Sequence, residues 1–176
     1  LSLLYFILNY FYSLIGKQIR FFDILVLCSF YIIRVFYGAS ITAVPLTGWF
    51  VATLTLSVLS LSIHKRYMEC KISTRDVIPG RGYTKYHIQF LQILMINFAL
   101  AAIVLLNIHA YFVLNITTPV FFVLLNLISA SIMLLYFDDA TDNSDDPVTR
   151  VIGNKKLLFS LTVFVILYFF EMVTKK

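Results

Sequence analysis

His64-Lys65-Arg66-Tyr67-Met68-Glu69-Cys70 opens, and Arg81-Gly82-Tyr83-Thr84-Lys85-Tyr86 closes, the most densely charged interval of this chain. Lys65, Arg66, Lys71, Arg75, Arg81 and Lys85 crowd into it, with only Glu69 and Asp76 to balance them. Apolar runs flank it on both sides, Leu46 to Ile63 before and Ile88 to Leu106 after. A basic interval between two runs of helix length reads as a connection outside the bilayer in a helical membrane bundle, since Lys and Arg are retained on the cytoplasmic side. Any anion that the protein handles is expected here.

Working outward, four more apolar runs stand at about Leu1 to Ile15, Phe21 to Ile41, Thr117 to Phe137 and Leu157 to Val173. They are continuous rather than alternating, which excludes a barrel and predicts an all-α integral membrane bundle with six transmembrane helices. Composition agrees: of 176 residues, 60% are hydrophobic and 13% charged, more apolar surface than one soluble core of this size buries. The net charge of +5 resides in short connections between apolar runs, so it sets orientation or binds anionic ligands, and no nucleic-acid partner is expected. Lys17 and Arg20, the six basic residues of the central interval, and Arg150, Lys155 and Lys156 fall on one face, which is therefore cytoplasmic. Six crossings then put Leu1 and Lys176 outside.

The opening run ends at Gly16, short of the roughly 20 residues a span needs, and it has neither the basic start nor the small-residue cleavage site of a signal peptide. The chain is expected to be the C-terminal part of a longer protein, forming one transmembrane domain over 1–176. Cys28 lies in an apolar run and Cys70 in the basic interval, and neither has metal-ligand spacing to a second cysteine, so no disulfide and no thiolate metal site are expected. Thr53, Ser57 and Ser60 recur at helical spacing, a pattern that suits close helix packing. Asn115-Ile116-Thr117 matches a glycosylation triplet, a pattern too short to carry weight.

Three features point to chemistry. Arg34 lies near the middle of an apolar run, where a charge costs at least ~2.5 kcal/mol, so it is expected to face the bundle interior or a wet cavity. If the third helix continues past His64, Lys65 and Glu69 stand at i and i+4 and can pair, while Arg66 and Tyr67 point to other faces. Asp138-Asp139-Ala140-Thr141-Asp142-Asn143-Ser144-Asp145-Asp146-Pro147 is either a polar turn or a set of oxygen ligands for Mg²⁺, with Asp138 and Asp142 the candidate ligands.

Lys65-Arg66-Tyr67-x-Glu69, Tyr83-Thr84 downstream, Arg34 ahead of Gly38, and Asp146-Pro147 before the last run together resemble the decaprenyl-phosphate phosphoribosyltransferase branch of the UbiA superfamily. The likeness runs over essentially the whole chain and rests on the order and spacing of these pieces. It implies a nine-helix UbiA-type fold of which the first three helices are absent here. The family's Asn-Asp-x-x-Asp motif has no counterpart in this chain, Asn154 stands where the family tends to keep an acid, and Cys70 replaces its usual Leu.

The implied reaction is transfer of 5-phosphoribose from phosphoribosyl diphosphate to a polyprenyl phosphate of decaprenyl type. It would run at the cytoplasmic face of a bacterial inner membrane, with Mg²⁺ as cofactor, in the synthesis of cell-envelope polysaccharide precursors. By the same resemblance Lys65, Arg66 and Glu69 are the catalytic residues, and Arg34, Tyr67, Tyr83, Tyr86 and Arg81 bind substrate. With the Asn-Asp-x-x-Asp motif missing, residues 1–176 alone are expected to lack transferase activity. The alternatives are a UbiA-type prenyltransferase that moves an isoprenoid onto an aromatic acceptor, a non-catalytic fragment, and a transport-related membrane protein.

Overall fold

In a computed structural model of the chain, seven helices follow one another among the described residues: α1 (Ser2–Leu14), α2 (Phe22–Thr42), α3 (Gly48–Ile72), α4 (Ile88–Phe112), α5 (Pro119–Phe137), α6 (Pro147–Gly153) and α7 (Lys155–Thr174). A 3₁₀ turn at Lys85–His87 leads into α4. The structure describes residues 2–14, 19–77, 82–113, 115–137 and 147–174. Among them there is no strand, only an isolated bridge between Val77 and Thr84.

The helix ends have local causes. Thr47 caps α3, its hydroxyl accepting the Phe50 N–H at 3.3 Å. Ala43 closes α2 in the left-handed region, φ 53°, two residues ahead of Pro45, which cannot continue a helix. Pro119 opens α5, where its missing N–H leaves no bond unmade. Asn154 stops α6 and caps α7, its Oδ1 accepting the N–H groups of Lys156 and Leu157 at 3.1 and 3.2 Å.

Each of the six apolar runs carries a helix, with two corrections. First, α3 does not end at Ile63 but continues to Ile72, so the Lys65 to Cys70 segment is helical rather than loop. Lys, Arg, Met and Glu are good helix formers, and they extend the turn beyond the apolar run. Second, α6 occupies a stretch read as connection. Three helices among the described residues are long and apolar enough to cross a membrane: Phe22–Thr42, Lys85–Phe112 and Pro119–Phe137. Their large apolar side chains are turned outward, Leu134 being 74% exposed and Val120 67%. In water such exposure would be costly; in lipid it is the required surface. The chain is thus all-helical, with the features of an integral membrane protein.

The chain forms two compact units, Leu1–Ala102 and Ile103–Lys176. In the first, α2 and α3 pack as an antiparallel pair and α1 lies against α2, with Tyr12 edge-on to Phe30 at 5.8 Å. The small-residue face of α3 packs as its spacing predicts at Ser60, whose buried hydroxyl donates to the Met95 carbonyl of α4 at 2.8 Å. Thr53 and Ser57 instead donate to carbonyls of their own helix. In the second unit, Phe121 and Leu125 of α5 form a core with Ala110 and Ile116, and Phe164, Leu167 and Tyr168 of α7 pack against it. Polar pairs join its helices: Asn107 and Asn126 exchange amide hydrogen bonds at 3.1 and 3.0 Å, and Thr118 donates to Glu171 at 2.7 Å. In a bilayer such bonds are worth about 0.6 kcal/mol each, so packing of the apolar faces dominates.

Candidate functional site

The polar end of α3 points a charged side chain into the first unit instead of out of it. Arg66 is 1% exposed, and its guanidinium meets three partners from three helices. Nε lies 2.5 Å from Asp23 Oδ2 as an ion pair without the alignment of a hydrogen bond. Nη1 donates to Glu69 Oε1 at 2.5 Å, and Nη2 donates to the Tyr12 hydroxyl of α1 at 3.0 Å. Asp23, at the start of α2, is fully buried. A buried cation is tolerable only when paired and hydrogen-bonded, and here both conditions are met. Burial works against the charge on Arg66, yet Glu69 and then Asp23 hold its pKa above the ordinary value, so it stays a cation at all working pH.

The segment after α3 folds back onto the same carboxylate. Tyr83 is fully buried; its hydroxyl donates to Asp23 Oδ1 at 2.6 Å and accepts the Phe21 N–H at 2.8 Å. Phe21 is the residue preceding α2 and holds φ 60°, a left-handed conformation costly for a bulky side chain. Tyr83 thereby satisfies the N–H of the residue preceding α2, and the Phe21 ring packs edge-on to the Tyr83 and Phe90 rings. Arg20 Nε donates to the Gly82 carbonyl beside them. Burial, followed by the bond to Asp23, pushes the Tyr83 phenol well above its usual pKa, so it remains a donor.

Of the expected site residues, the structure brings Arg66, Glu69 and Tyr83 together. Glu69 pairs with Arg66 at i+3 rather than with Lys65 at i+4, a correction that follows from Arg66 turning inward toward Asp23. Lys65 lies half-buried on the adjoining face of α3. Tyr67 is buried, its ring 6.1 Å from that of His64 and under the Lys71 ammonium at 5.8 Å. Tyr86 is 93% exposed. Arg34 does not face the interior as expected: it is exposed and lies over the Tyr31 ring of the preceding turn at 5.8 Å, a cation–π contact along one helix. It stands about 16 Å along α2 from Asp23, too far to join the cluster. Arg81, Asp138 and Asp142 lie outside the described residues.

Asp23 and Tyr12 escape a reading of sequence. Asp23 sits at the start of a run whose other charged residue is Arg34, and that is the available signal, because an acid there demands a buried partner. Nothing in spacing identifies that partner as Arg66. Among the described residues, no three His, Cys, Asp or Glu side chains come together to hold a metal. Cys28 and Cys70 are both free and buried.

Cys70 gives the cluster a built-in reporter. Burial, and then the negative charge of Glu69, pushes its thiol from 9.0 up to about 11. A folded-state pKa above the unfolded one means stability that is complete below pH 9.0 and lost as pH rises through about 11. Only the thiolate alkylates, so at neutral pH native Cys70 should react at least about 10²-fold more slowly than in the denatured chain. Quenched labelling followed by mass spectrometry measures this; equal rates would contradict the burial.

No protein-family model matches the chain, and no curated protein matches its sequence.

Proposed function

We propose that this chain is part of a UbiA-type membrane transferase that moves 5-phosphoribose from phosphoribosyl diphosphate to a polyprenyl phosphate. Its six apolar runs would supply six transmembrane helices of a nine-helix bundle in a bacterial inner membrane, with the active face cytoplasmic. One observation carries the reading. Lys65-Arg66-Tyr67-x-Glu69 and Tyr83-Thr84, pieces of the resemblance separated by a loop in sequence, meet on one carboxylate: Asp23 holds both Arg66 and the Tyr83 hydroxyl. Motif pieces that serve one site must converge in this way.

In the proposed reaction a phosphate oxygen of the lipid attacks the anomeric carbon as the bond to diphosphate breaks, and diphosphate leaves with the bonding electrons. Both reactants are anionic, so cations must gather them and offset the charge that develops on the leaving group. Lys65 would do that work; it is half-buried beside the cluster, with Lys71 exposed on the same polar end of α3. Arg66 is committed to Asp23, Glu69 and Tyr12, which makes it the residue that fixes the helix end rather than a mobile phosphate clamp. Mg²⁺ would supply further charge neutralisation, with Asp138 and Asp142 as its candidate ligands.

The test is to express the reading frame that contains this segment, isolate membranes, and supply labelled phosphoribosyl diphosphate, Mg²⁺ and decaprenyl phosphate. Label extracted with a phosphoribosylated lipid is the expected result. Membranes that carry the protein but transfer no label would sink the proposal. Transfer of an isoprenoid to an aromatic acceptor would favour prenyltransferase chemistry.

A further inference from the structure

Asp23 is a single buried carboxylate that two elements share. One oxygen faces Arg66 Nε at 2.5 Å and the other accepts from Tyr83 at 2.6 Å. Arg66 belongs to α3 and Tyr83 to the segment that returns from it, while Asp23 belongs to the start of α2. The Tyr83 hydroxyl then closes the circuit by accepting the Phe21 N–H at 2.8 Å, in a residue whose φ of 60° needs such support. Arg20 adds a bond to the Gly82 carbonyl, so residues 20–23 grip residues 82–83 at three points. Further out, the Lys85 N–H donates to the Asp76 carbonyl at 3.1 Å, and Val77 bridges Thr84, which ties the returning segment to the one that leaves α3.

We infer that Asp23 and Tyr83 form a latch that holds the basic end of α3 and the segment around Gly82–Thr84 on the start of α2, and that Asp23 is thereby a positioning residue for Lys65. Asp23 touches no substrate in this account. It orients Arg66, Arg66 orients the last turns of α3, and Lys65 rides on those turns. The consequence for transfer rests on the transferase reading; the latch itself does not.

Cys70 reports on the latch without any assay of activity. It is fully buried one turn beyond Arg66, and the charges of Glu69, Arg66 and Asp23 all act on it. Maleimide labelling of Cys70 in isolated membranes, located by mass spectrometry, is compared in the wild type, Tyr83→Phe, Asp23→Asn and the double variant. Tyr83→Phe should raise the labelling rate about tenfold, the scale of losing one hydrogen bond to a buried carboxylate. The double variant should label less than tenfold faster than Asp23→Asn, because the Tyr83 hydroxyl bond is already weakened once the carboxylate is neutral. An unchanged rate in Tyr83→Phe, or effects that multiply as independent ones do, would overturn the latch.

Should Asp23→Asn fail to insert because Arg66 is left short of its counter-charge, Tyr83→Phe decides alone, since it alters no charge. Transfer is measured on the same membranes. A Tyr83→Phe protein with exposed Cys70 and a lowered kcat at unchanged KM supports the positioning role, whereas exposed Cys70 with normal transfer removes it. Wild-type membranes without transfer count against the transferase reading only, and the labelling comparison still decides the latch.

Discussion

Replacing Arg66 by Ala should destabilise the first unit by about 3–5 kcal/mol, the cost of stranding buried charge when one member of an ion pair is removed. Asp23 is fully buried and the Glu69 side chain is 13% exposed, so water cannot stand in for the lost guanidinium at either carboxylate. Unfolding in mixed micelles titrated with a denaturing detergent measures the loss. The companion variant Asp23→Asn/Arg66→Met/Glu69→Gln removes all three charges together and should recover part of the stability, because the cost of a stranded buried charge is gone and only the smaller cost of the buried amides remains. It should not recover transfer, since the geometry that charge imposed on the end of α3 is gone. If Arg66→Ala were as stable as the wild type, Arg66 would not be the keystone of this helix end, and its role as a direct phosphate ligand would return.

How much of this was legible in the sequence differs by element. Helix existence was legible, because runs such as Thr117 to Phe137 are too long and too continuously apolar to be anything else in a chain of this composition. The extension of α3 through Lys65-Arg66-Tyr67-Met68-Glu69-Cys70 was visible only as a condition. Good helix formers permit it, but the packing that requires it comes from Asp23 on another helix. The short α6 gave no signal, since so brief a helix has no periodicity to read.

The site was legible at the level of which interval, and not at the level of which contacts. The crowding of basic residues marked the central interval, yet Tyr83 and Tyr86, both substrate-binding by the resemblance, are one fully buried against Asp23 and one exposed. Arg34 misled for a complementary reason. The cost of a charge inside a bilayer argued for an interior partner, and the side chain found the Tyr31 ring of its own helix instead. Insertion cost says that a charge needs company without saying where that company lies.

Lys65→Ala should leave stability unchanged and cut phosphoribosyl transfer by about 10²-fold, the scale of losing one positioned donor to developing negative charge. Arg66 and Lys65 are neighbours in sequence with opposite environments. Arg66 points inward and is 1% exposed; Lys65 is half-buried on the adjoining face, and among the described residues no carboxylate pairs with it. A lysine held near apolar surface with its ammonium unspent is a point charge open to a phosphate. Lys85 supplies the control: it pairs at 3.8 Å with Asp76, a side chain 88% exposed, so Lys85→Ala removes a screened surface interaction and should change transfer by less than about twofold. Both variants are assayed in membranes after their insertion and their Cys70 labelling are shown to match the wild type. Equal activity in Lys65→Ala and Lys85→Ala would reduce the basic interval to a signal for orientation, because the half-buried cation and the exposed one would then be doing the same thing.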